Sequence, residues 1–87
     1  MSQIRETTRI QVAAPDGPSA FMLERRLLHL SPVTIESHGE WSVELDVDDR
    51  LDEVEAAVRS WLRESALEST AVVVDGRSRH IAAKRAA

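Results

Sequence analysis

Apolar and polar positions alternate from Thr8 to Ala14, with Thr8, Ile10, Val12 and Ala14 on one side and Arg9, Gln11 and Ala13 on the other. A period of two predicts a strand with one buried face. Pro15-Asp16-Gly17-Pro18 interrupts it, and Pro18 is suited to the first turn of a helix. The period then lengthens: Ala20, Leu23, Leu27 and Leu30 share one helical stripe, with Phe21 and Leu28 at its margins. Ser31-Pro32 is the expected end of this helix, because proline disfavours helical geometry in the residue before it.

Alternation resumes with Val33 and Ile35, then with Trp41, Val43, Leu45 and Val47, on either side of His38-Gly39. The pattern predicts a hairpin, with glycine supplying the positive φ of its turn. Asp48 or Asp49 is placed to cap a second helix, and Asp49 with Asp52 approximates a capping box. Leu51, Val54, Val58, Trp61 and Leu62 form the stripe of that helix, which is expected to reach about Ser65. Glu55 and Arg59 stand four apart on its outer side, the spacing of a helical ion pair. For Trp61, near the stripe's end, core packing and an exposed contact site are both open readings. Ser69 to Val74 predicts another strand, and Asp75-Gly76 a turn that lets Arg77 to Ile81 pair back as a short fifth strand.

The order strand, helix, strand, strand, helix, strand is the split β-α-β plan of ferredoxin-like domains, an α+β sandwich with two helices on one face of an antiparallel sheet. The alternation then assigns Ile10, Val12, Val33, Ile35, Val43 and Leu45 to the helix side. Arg9, Gln11, Thr34, Glu36, Ser42 and Glu44 are left on a bare outer face, where Arg9 is expected to approach Glu44 or Asp46. The second strand and the last lie at the edges, and pairing of such edges is a common route to dimers. Residues 1–87 read as one domain, with an ordered core at about 5–81 and a frayed tail at 82–87.

Composition narrows the chemistry. With no cysteine in 87 residues, disulfides, thiolate catalysis and Cys-based metal sites are absent, so stability rests on packing. The longest apolar run is Ala71-Val72-Val73-Val74, far short of a membrane span, and residues 1–10 lack a signal-peptide core, so a cytoplasmic protein is expected. Nine of the fifteen acids lie between Glu36 and Glu55, opposed there only by Arg50, whereas Arg77, Arg79, Lys84 and Arg85 follow Asp75 with no acid among them. That segregation suits protein contact or self-association, although a solvated surface with a loose tail is the commoner meaning of such charge runs.

His29, His38 and His80 fall on three different elements, without the spacing of a metal site, and no serine sits in a nucleophile-elbow pattern. The acids of 46–52 fail as a calcium loop: Arg50 stands where an oxygen ligand belongs, Leu51 replaces the turn glycine and Ala57 the terminal glutamate. No aromatic residue falls on the outer face to stack a base, so nucleic acid is not an expected partner. No cofactor or metal is implied.

One segment has the makings of a ligand site. Pro15 to Ser19 joins a strand to a helix N-terminus, where free N–H groups attract anions. Val12-Ala13-Ala14-Pro15-Asp16-Gly17-Pro18, with Leu51-Asp52-Glu53-Val54 opening the second helix, resembles the ACT-type regulatory domains. That resemblance implies a ferredoxin-like dimer binding an amino acid near this loop, with Asp16, Gly17 and Ser19 as its candidate contacts. Three functions are therefore open: a self-associating interaction or regulatory module using Arg9, Gln11, Thr34, Glu36 and Glu44; a sensor of a small ligand at 15–19; and a small enzyme working through charged sheet residues such as Arg9 and Glu44.

Overall fold

In the computed structural model, which describes residues 7–48 and 50–83, each alternating segment is a strand and each apolar stripe a helix. The elements are β1 (Thr8–Ala14), α1 (Gly17–Arg26), β2 (Val33–Ser37), β3 (Glu40–Val47), α2 (Leu51–Glu64), β4 (Ser69–Val74) and β5 (Arg77–Ala82). The five strands form one open antiparallel sheet in the order β2-β3-β1-β4-β5. β5 fills the place expected after Asp75-Gly76, and the edges are β2 and β5.

One sheet face and both helices share a single apolar cluster. Ile10, Val12, Val43, Leu45, Val47 and Val72 meet Ala20, Leu23 and Leu27 at α1 and Val54, Val58, Trp61 and Leu62 of α2. Trp61 belongs wholly to this core: its ring is fully buried and its indole Nε1 donates to the Ser19 carbonyl at 2.8 Å. The bond fastens α2 to the first turn of α1. No helix is long and apolar enough to cross a membrane among the described residues.

The β2 strand reverses the expected facing. Thr34 is opposite buried Val43 and Glu36 opposite Trp41, so both lie on the helix side, while Val33 and Ile35 oppose Glu44 and Ser42 on the open side. Thr34 Oγ1 donates to Glu24 of α1 at 2.7 Å, and Val33 is 57% exposed. The cause is the turn. His38 (φ 55°) and Gly39 (φ 81°) form a two-residue loop between the paired Ser37 and Glu40, which makes every odd-numbered β2 residue oppose an even-numbered β3 residue. The odd-numbered apolar residues of β3 point to the core, so those of β2 point away from it.

Four end features also differ from expectation. α1 stops at Arg26, and a 3-10 turn, Leu28–Leu30, carries the chain to a left-handed Ser31 (φ 54°) before Pro32. At the start of α2 the N-cap is Arg50, which makes no side-chain cap bond, and Asp49 lies outside the described residues. Glu55 pairs with Arg79 at 3.2 Å rather than with Arg59, because Arg79 lies on the helix-facing side of β5 opposite Val72. Finally, Ala82 closes β5, and Ala83 is buried, its N–H donating to the Glu68 carbonyl at 2.8 Å and its carbonyl accepting from Arg63 at 3.1 Å. The last strand therefore extends past residue 81; residues 5–6 of the expected core and 84–87 of the expected tail lie outside the described residues.

Candidate functional site

On the open face the sheet register brings Arg9, Gln11 and Glu44 together. Arg9 opposes Asp46 and Gln11 opposes Glu44. Arg9 Nε donates to Asp46 Oδ1 at 3.2 Å and its Nη1 lies 3.7 Å from Glu44, the approach expected from the topology. The hydrogen bond from Arg9 to Asp46 raises the guanidinium pKa further, the charges of Asp46 and Glu44 acting in the same sense. Gln11 Nε2 donates to Ser42 Oγ at 3.2 Å. Across β1 on the other side, Asp75 accepts from the Arg9 N–H at 3.2 Å and returns its own N–H to the Arg9 carbonyl at 3.0 Å.

Thr34 and Glu36, expected on this face, do not join the group. Glu36 caps its own hairpin by accepting from the Gly39 N–H at 2.8 Å. Their places are taken by Val33 and Ile35, which line a shallow depression of about 210 Å³ with Arg9, Glu44 and Asp46. The face is consequently a central ion-paired strip with apolar side chains beside it. With one guanidinium facing two carboxylates, the strip keeps a net negative charge.

The Pro15–Ser19 loop is consumed by the fold. Asp16 is the N-cap of α1, its Oδ1 accepting from the Ser19 N–H at 2.8 Å, and that backbone bond holds its carboxyl below the ordinary range. Gly17 is buried under the Trp41 indole so closely that a Cβ there would lie 3.1 Å from the ring. The Ser19 carbonyl accepts from Trp61. Asp16, Gly17 and Ser19 thus build the helix start, and the donors an anion needs are spoken for at Ser19.

Two features escaped the sequence reading. At the hairpin tip Ser37 Oγ lies 3.1 Å from His38 Nδ1, but both residues are exposed. A contact between neighbours in a solvated turn lacks the enclosed setting in which a base activates a hydroxyl. More telling are exposed apolar side chains on both faces of the sheet: Val33 at 57% on the open side, and Phe21 at 51% and Leu28 at 62% in the helical layer. Phe21 packs against Trp41 with ring centroids 6.1 Å apart, and Trp41 opposes Glu36 of β2. Leu28 opens the 3-10 turn that follows α1. The parity of a two-residue turn was the signal that could have exposed Val33, and the place of Phe21 and Leu28 at the margins of the helical stripe was the signal for theirs.

Among the described residues, no group of three or more His, Asp or Glu side chains could hold a metal ion. No protein-family model, curated protein or solved structure matches the chain.

Proposed function

We propose that the chain is a ferredoxin-like domain with an added edge strand, serving as a non-catalytic protein-interaction module that self-associates. The strand order β2-β3-β1-β4, extended by β5, supports the first part, being the order that two split β-α-β crossovers produce. The observation that carries the second is that exposed apolar side chains flank the unpaired β2 strand on both sheet faces, Val33 on the open side and Phe21, packed on Trp41, on the helix side. Scattered surface leucines need no explanation, but large apolar groups gathered beside an unpaired strand mark a contact surface.

The two edges differ in a way that favours this reading. Along β5, Arg77 and Arg79 project on the helix side and His80 on the other, and basic side chains on an edge discourage further strand pairing. β2 carries one charged residue, Glu36, whose carboxylate accepts from the Gly39 N–H of its own turn. Sedimentation equilibrium of the 87-residue chain tests the reading: a dimer at micromolar concentration is the expected result, and a monomer up to about 100 μM, a concentration corresponding to only about 5.5 kcal/mol of association, would overturn it.

A further inference from the structure

Resting on the self-association proposed above, we infer that two copies join through an antiparallel β2–β2 pairing with its two-fold axis at Ile35, producing one continuous ten-stranded sheet. The backbone dictates this register. Ser37 and Glu40 flank a two-residue turn and so exchange hydrogen bonds with each other, and the antiparallel alternation then directs Ile35 and Val33 inward to β3 as well. Thr34 and Glu36 are left with N–H and C=O groups pointing outward along the edge.

An axis at Ile35 sets Thr34 opposite Glu36 of the second copy and Glu36 opposite its Thr34, satisfying all four outward donors and all four outward acceptors. Shifting the axis to Thr34 would put Glu36 opposite Pro32, which has no N–H to give. Moving it to Glu36 instead brings Thr34 against His38, whose positive φ belongs to the turn. Only the Ile35 register uses the whole edge.

The side chains agree with it. On the open side Ile35 meets its own copy, with Val33 next to it. On the helix side the antiparallel arrangement sets Phe21, near the Glu36 end of β2 through its contact with Trp41, toward the Thr34 end of the second copy's β2, and does so twice. β2 is also an isologous surface, so the assembly closes as a dimer instead of growing into a fibre.

The chain has no cysteine, which makes a crosslinking test clean. Ile35 lies at a non-hydrogen-bonded pair across the axis, where Cα atoms stand about 4.5 Å apart, within disulfide reach. Mild oxidation of Ile35→Cys is expected to give a covalent dimer, while His80→Cys on the β5 edge stays monomeric on a non-reducing gel. Ile35→Lys, with its fold checked by far-UV circular dichroism, is expected to weaken the sedimentation dimer at least tenfold. A wild-type dimer that persists in folded Ile35→Lys, with no crosslink at residue 35, refutes the β2 edge while leaving self-association standing. A wild-type monomer with no crosslink refutes both.

Discussion

Replacing Trp61 by Phe tests the tie between α2 and the start of α1. The indole is fully buried, and its Nε1 donates to the Ser19 carbonyl at 2.8 Å. Ser19 lies in the first turn of α1, where its carbonyl also faces the residue 23 N–H in the ordinary helical pattern, so the substitution does not orphan the acceptor. The loss is then the net value of one hydrogen bond, about 0.5–1.5 kcal/mol. The smaller ring adds a void of roughly 40 Å³, which at about 24 cal/mol per Å³ costs about 1 kcal/mol more. The total is about 2 kcal/mol, from a global stability of roughly 4–13 kcal/mol for a domain of this length. Urea unfolding followed by far-UV circular dichroism measures it: with a slope near 1 kcal/mol per M, the midpoint is expected to fall by about 2 M. Trp41→Phe is the control, since the Trp41 indole is only partly buried and its N–H has no bonding partner among the described residues. If Trp61→Phe moves the midpoint no more than Trp41→Phe does, the hydrogen bond to Ser19 contributes nothing and the account of the junction is wrong.

The inverted facing of β2 predicts that Thr34→Val, which leaves the Glu24 carboxylate without its donor, costs about 1 kcal/mol, whereas Val33→Thr at the exposed neighbour changes monomer stability by under about 0.5 kcal/mol; equal effects in denaturant titrations below the dimerisation range would contradict it. Gly39→Ala meets no atom within 4 Å yet must hold φ at 81°, so a destabilisation of about 1 kcal/mol or more from backbone strain alone is expected by thermal melt, with the sheet unchanged by circular dichroism. Asp16 has a folded-state pKa below its unfolded value, so its cap stabilises above the ordinary carboxylate pKa of about 3.9 and that contribution is lost as pH falls through the depressed value. Melting temperatures of wild type and Asp16→Ala should therefore differ at pH 7 and converge toward pH 2; a gap that stays constant with pH argues against the cap.

Much of the architecture was legible along the chain because it depends on local periodicity and on turn chemistry. The alternation of Thr8 to Ala14, the stripe from Leu51 to Leu62 and the Asp75-Gly76 turn each predicted an element that the structure contains. The proximity of Arg9 to Glu44 and Asp46 followed from strand order. The candidate site was less legible. Asp16, Gly17 and Ser19 have the composition of a ligand loop, and only the closeness of Trp41 and Trp61, brought in from β3 and α2, shows that the loop is packed and bonded from within.

By itself, the sequence determined which segments are strands and helices, where the turns fall, and that the fold is held without covalent staples. Tertiary structure decided which way β2 faces. Val33 and Ile35 look like core by their own alternation, but alternation specifies only that two faces differ, never which one is buried. The two-residue turn at His38-Gly39 ties the parity of β2 to that of β3, and the larger apolar set of Val43, Leu45 and Val47 takes the core. Thr34 and Glu36 are thereby turned toward the helices, and the apolar side chains of β2 are left outside at an open edge.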